Sequence, residues 1–99
     1  MAEVVEVASG FKALFQLTRF SPSVIVCNIR LPDMMGEELL QSIRLKQPDA
    51  SQQIPVIAVA AGNREFSSAE ASTAGFDGFL SHPIDPEQLV AEILSLVGR

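Results

Sequence analysis

The sequence has no tryptophan and no tyrosine, and only one cysteine and one histidine among its 99 residues. A lone cysteine, Cys27, cannot close an internal disulfide. Its place inside an apolar run reads as a small core residue and not as a reactive thiol. Without Trp and Tyr, the usual stacking platforms for single-stranded nucleic acid are scarce. Charge points the same way: 7 Lys and Arg against 12 Asp and Glu give a net charge of −5, and the cations are scattered. A phosphate backbone calls for a clustered basic surface, so nucleic acid is not an expected partner. Hydrophobic residues make up 47% of the chain, yet no apolar run approaches the roughly 20 residues of a membrane span. Met1-Ala2-Glu3-Val4-Val5-Glu6 lacks the basic stretch and apolar core of a signal peptide. There is no low-complexity segment and no internal repeat. The expectation is one cytoplasmic domain over residues 1–99, with no membrane partner.

What is present is an alternation. Short β-branched runs occupy residues 4–7, 24–28, 56–60 and 78–80, and segments with helical spacing follow them. The first, residues 11–20, places Phe11, Leu14, Phe15 and Thr18 on one face. The second, Gly36–Lys46, aligns Leu39, Leu40 and Ile43 and carries Glu37 and Glu38 in its first turn, where the helix dipole favours anions. The third, residues 64–74, is rich in Ser and Ala, with Asn63 as its predicted cap and Arg64 and Glu65 as a solvated start. The fourth, Pro86–Val97, is capped by Asp85, has Pro86 at its first position and Gly98 as its stop, and shows a stripe of Leu89, Val90, Ile93, Leu94 and Val97. Strand and helix in alternation predict right-handed βαβ units on a parallel sheet. Val24-Ile25-Val26-Cys27 and Pro55-Val56-Ile57-Ala58-Val59 are apolar on both alternations, as strands covered on both faces should be. In such sheets chemistry gathers at the carboxyl ends of the strands, here Asn28, Ala60-Ala61 and Leu80-Ser81-His82.

At those ends three ordered segments resemble the receiver domains of response regulators. Ser23-Val24-Ile25-Val26-Cys27-Asn28-Ile29-Arg30-Leu31-Pro32-Asp33-Met34-Met35-Gly36 is similar to the phosphoacceptor strand and its loop, which read as aliphatics, an Asp, then L-P-D/M and a Gly. Pro55-Val56-Ile57-Ala58-Val59-Ala60-Ala61 is similar to the strand that ends in Thr or Ser followed by Ala. Ala74-Gly75-Phe76-Asp77-Gly78-Phe79-Leu80-Ser81-His82-Pro83-Ile84-Asp85 is similar to the A-G-[FA]-x-[GD]-[YF]-L-x-K-P-[IF] signature. The likeness covers nearly the whole chain, and three segments in order are far more specific than any one.

The resemblance implies a flavodoxin-like (CheY-like) α/β fold and a switch driven by an aspartyl phosphate. That switch needs an acceptor Asp, an acidic pair that helps hold Mg²⁺, a Thr or Ser hydroxyl, a Lys, and an aromatic side chain that reports the change. Carried over residue by residue, the acceptor position is Asn28, the hydroxyl position Ala60, the lysine position His82 and the aromatic position Phe79. The acidic pair has no counterpart, since the chain opens where the family's second strand stands. A carboxamide is a poor nucleophile and has no charge with which to hold Mg²⁺, alanine has no donor, and histidine is shorter than lysine and mostly neutral at pH 7. Neither a metal nor another cofactor is therefore expected. The resemblance also implies a cis bond between His82 and Pro83.

The expected fold is a parallel sheet of about four strands with helices on both faces, without the family's first βα unit. In the family's 2-1-3-4-5 order the missing strand is central. The run at 4–7 then pairs directly with Val24–Asn28, or a strand from elsewhere fills the gap. Either way an apolar area is left uncovered, and a homodimer or other homo-oligomer using Val4, Val5, Val7, Leu89, Ile93 and Leu96 is the expected remedy. The plainest reading of Asn28 and His82 is a hydrogen bond to each other or to water at the sheet's rim, and one His with one amide falls short of a metal ligand set. No trio of nucleophile, base and orienting group is present, so no enzyme is expected. Met34 and Met35 read as loop packing or as an adaptable contact patch. The expected function is a non-phosphorylatable receiver-like module that binds a signalling protein or itself. Two alternatives stay open: a non-autonomous fragment of a larger response regulator or hybrid kinase, and a small-ligand binder at the Asn28/His82 rim.

Overall fold

The computed structural model describes residues 4–19, 21–47, 49, 53–61 and 67–97. Among them, four strands and four helices alternate: β1 Val4–Glu6, α1 Gly10–Leu17, β2 Val24–Asn28, α2 Gly36–Lys46, β3 Val56–Ala60, α3 Ser68–Ala74, β4 Gly78–Ser81 and α4 Pro86–Val97. The strands are all parallel and lie in the order β1-β2-β3-β4. β1 pairs directly with β2, Val4 opposite Val24 and Val5 opposite Ile25, and the ladder runs one bond further, from Val7 N–H to Val26 O at 3.0 Å. The first of the two expected arrangements is thus the one adopted.

Crossovers of one hand between successive neighbours place their helices on one side of a sheet. The core divides accordingly. Ile25, Cys27, Ile29, Val56, Ala58 and Ala60 face α1, α2 and α3, and meet Ala13, Leu39, Leu40, Ile43 and Ala71. Val24, Ile57 and Leu80 face α4 and meet Leu96, with Val26, Leu89 and Ile93 half-buried around them. That second face is better covered than expected at Val24, which is fully buried, and is open at Val4.

The caps follow side-chain chemistry. Ser9 Oγ accepts from Lys12 N–H at the start of α1, and the Asp85 carboxylate accepts from Glu87 N–H at the start of α4. α3 is capped by Ser67, whose Oγ accepts from Glu70 N–H; the predicted cap Asn63, the start at Arg64 and Glu65, and Gly98 lie outside the described residues. Gly75 ends α3 at φ 105°, a left-handed conformation that only glycine adopts freely. Arg44 ties α2 to the sheet. It donates to Ile54 O at 2.8 Å and to Asp77 Oδ2 at 2.9 Å, an oxygen that also accepts from Val56 N–H.

Two sequence expectations are corrected by packing. α1 does not bury the Phe11/Phe15 face: those rings are 68% and 61% exposed, while Gly10 and Ala13 are buried and Leu14 and Leu17 pack inward. The helix ends at Leu17, with Thr18 as its C-cap; Phe20 lies outside the described residues. The expected interface set is also largely internal. Val5 and Val7 point into the α1–α3 side of the core, because alternate residues of a strand share a face. Leu96 is buried against the sheet, and Leu89 and Ile93 are half-covered there. Of that set, Val4 alone is an exposed side chain, whereas Val90, Leu94 and Val97 form the outer side of α4.

Candidate functional site

The ladder brings three strand ends side by side. Asn28 stands opposite Val59, Ala60 opposite Ser81, and His82 N–H donates to Ala60 O at 2.9 Å. Asn28 and His82 are exposed and line one small opening of about 200 Å³ together with Arg30, Val59 and Ala61. The structure therefore gathers Asn28 and His82 as the sequence suggests. Among the described residues no hydrogen bond joins their side chains, which leaves water as the partner in the expectation of a bond to each other or to water. Ala60 is fully buried, its methyl part of the core beneath the rim. Phe79 is half-buried and packs on that same core. The His82–Pro83 bond is cis.

The donor set does not fit a divalent cation. Asn28 supplies a neutral amide at the rim, and among the described residues no cluster of three His, Cys, Asp or Glu side chains converges. The carboxylate of the adjoining loop is already committed. Asp33 Oδ1 accepts from Gly10 N–H at 2.8 Å and Oδ2 from Phe11 N–H at 2.9 Å, so this acid closes the first turn of α1 from 22 residues away. Met34 completes the clasp: a Cβ on Gly10 would lie 2.3 Å from its sulfur, so a side chain there would have to push the Met34 chain aside. Met34 is thus packing and Met35 is 39% exposed. Neither Asp33 nor Arg30 was singled out from the sequence. The position of Arg30, two residues after the acceptor position, was the available signal for it; Asp33's partner has none.

The two amide hydrogen bonds, Phe11 first and Gly10 next, hold the Asp33 carboxyl below its ordinary range. Its contribution to stability is full above the unfolded-state pKa of about 4 and is lost as pH falls through the lower folded value. Asp33→Asn should therefore flatten the acid limb of the stability curve while lowering stability at neutral pH. Urea unfolding between pH 2 and pH 7 reads this; parallel curves for the two proteins would refute the clasp. Cys27, by contrast, is sealed in the core, and burial pushes its thiol up to about 12.

No helix of the described residues is long and apolar enough to cross a membrane. Comparison with known proteins agrees with the fold. The response regulator receiver domain family matches residues 1–94. An uncharacterized 14.6 kDa protein of Leptolyngbya boryana is 34% identical over 88 residues, and the response regulator Rre1 of Synechocystis sp. is 28% identical over 92. The matches take in 88% and 93% of this chain but only 66% and 39% of those two proteins. Among solved structures, the receiver domain of a Pseudomonas aeruginosa sensor histidine kinase, which holds a magnesium ion in its active site cleft, superposes with a TM-score of 0.75 at 26% identity. That match covers 94% of this chain and 75% of the other.

Proposed function

This chain belongs to the response regulator receiver domain family, and from that premise we propose that it serves two-component signalling as a receiver that accepts no phosphoryl group. It acts in the cytoplasm by contact with proteins, a signalling partner or its own copies, and turns over no substrate. The observation that carries this reading is the chemistry gathered at the strand ends. An amide stands at the acceptor position Asn28, a buried methyl at the hydroxyl position Ala60 and an imidazole at the lysine position His82. Each substitution removes a different requirement: the nucleophile and metal charge, a phosphoryl hydrogen bond, and a fixed cation. Loss of all three together argues against a switch that is merely weakened.

The rim opening, at about 200 Å³, is below the roughly 300 Å³ at which small-molecule pockets begin. This disfavours the small-ligand alternative.

Incubation with acetyl phosphate and Mg²⁺ should leave the intact mass of the protein unchanged. Asn28→Asp alone should not restore the adduct, since Ala60 and His82 still withhold the phosphoryl partners. A stoichiometric, Mg²⁺-dependent, hydroxylamine-sensitive increment on the unaltered protein would overturn this reading.

A further inference from the structure

We propose that the outer face of α1 docks on the outer face of α4 in a second copy of the chain, head to tail. The proposal rests on the reading of this chain as an interaction module and names the surfaces that do the work. α1 turns Phe11 and Phe15 outward, four residues apart and hence on one arc of the helix. Their exposures of 68% and 61% leave on the order of 250 Å² of aromatic surface in water. The same arc holds the cations Lys12 and Arg19, the guanidinium of Arg19 lying 5.7 Å from the Phe15 ring centre. Residues 10–19 contain no acid, although the chain as a whole has five more acids than bases.

α4 is the complement. Its outer arc is aliphatic, with Val90 54% and Leu94 65% exposed beside Pro86, Ala91 and Glu87. Residues 86–97 carry two glutamates and no Lys or Arg. One face is therefore aromatic and cationic, the other aliphatic and anionic. Within a single molecule they cannot meet, because α1 and α4 lie on opposite sides of the sheet. Between copies they can, with aliphatic side chains under the phenyl rings and Glu87 at the rim against Lys12 or Arg19. Monomers rarely leave two such patches open. Asp33 and Met34 are positioning residues, since their hold on Gly10 sets which arc of α1 points outward.

A contact between two different faces is heterologous, so a pair still has one α1 face and one α4 face free, and growth does not stop at two unless a ring closes. Sedimentation velocity and light scattering on the full chain, from micromolar to millimolar concentration, should show a mass that rises beyond the dimer and falls with added salt. Phe15→Glu should weaken association about tenfold or more, as should Leu94→Lys, while both proteins keep the parent circular dichroism and unfolding midpoint, because both positions are exposed. Mixed in equal amounts, the two variants should form a dimer that stops there, the sound α4 of the first on the sound α1 of the second. A monomer at every concentration overturns the proposal, and leaves the phosphodonor result to stand or fall by itself. A mixture that stays monomeric while the parent associates overturns it too, in favour of a symmetric interface, as does assembly of both variants like the parent.

Discussion

Ile57→Ala should lower the free energy of unfolding by about 4 kcal/mol, near the upper part of the range for deleting a large buried aliphatic chain. Ile57 has no solvent exposure and lies in the smaller half of the core, with Val24, Leu80 and Leu96. It stands opposite Gly78 in the ladder and fills the space that the glycine leaves. Glu92 shares that space: a Cβ on Gly78 would come within 2.6 Å of Glu92 Oε2, 3.2 Å of Ile57 Cγ1 and 3.6 Å of Leu96 Cδ1. Truncation to alanine therefore leaves adjoining positions on β3 and β4 with almost no side chain. The hydrogen-bonded ladder on both sides of β3 prevents the sheet from closing over the gap. For a domain whose whole stability is on the order of 5–15 kcal/mol, such a loss is severe. Urea unfolding at unchanged slope measures it, with Ile57→Val expected to cost about 1 kcal/mol and the exposed Val90→Ala within about 0.5 kcal/mol of the parent. A loss below about 1 kcal/mol for Ile57→Ala would mean that α4 does not close this face as described.

Gly36→Ala is expected to cost about 3 kcal/mol although it adds a single methyl group. The reason is steric and has nothing to do with an unusual backbone angle. A Cβ at this position would sit 2.6 Å from the carbonyl oxygen of Asn28 and 3.2 Å from the Cα of Ile29. Both are backbone atoms of the strand end and its exit, so no side chain can swing aside. Gly36 N–H also donates to Ile29 O at 2.7 Å, which fixes the start of α2 against that exit. Relief must come from the loop at residues 29–35, and any movement there carries Asp33 and Met34 away from α1. The substitution should accordingly lower the unfolding midpoint and raise amide exchange at Gly10 and Phe11, whose N–H groups Asp33 holds. A midpoint shift unaccompanied by faster exchange at those two amides would show that α1 does not depend on the loop.

The contrast between α4 and α1 shows how far local reading reaches. Asp85, Pro86 and the stripe of Leu89, Val90, Ile93, Leu94 and Val97 lie within one stretch of chain, and the helix formed where they placed it; of that stripe Leu89 and Ile93, joined by Leu96, meet the sheet, while Val90, Leu94 and Val97 stay on the open outer arc. α1 offers two arcs at helical spacing that share Leu14. One runs through Phe11, Phe15 and Thr18 and the other through Gly10, Ala13 and Leu17. By hydrophobicity the first is the stronger, and it is the second that is buried. Two interactions outweigh the rings. The Asp33 carboxylate takes the first amides of the helix, and the small side chains of Gly10 and Ala13 let the helix approach Met34 and the sheet closely. The partner lies 22 residues away, so nothing in the periodicity of α1 announces it.

The sequence by itself determined the order of strands and helices, the family, and the identities Asn28, Ala60 and His82 at the strand ends. These depend on residue type at fixed places along the chain, and chemistry that needs a carboxylate, a hydroxyl or an amine is read directly from its replacement. Only the tertiary structure decided that β1 lies against β2, which arc of α1 meets the sheet, and which apolar side chains of β1 and α4 are core and which are surface. Those choices rest on contacts between segments distant in sequence, the Val4–Val24 register, the Asp33 clasp and the Ile57–Gly78–Leu96 fit. Their energies exist only once the chain has closed upon itself.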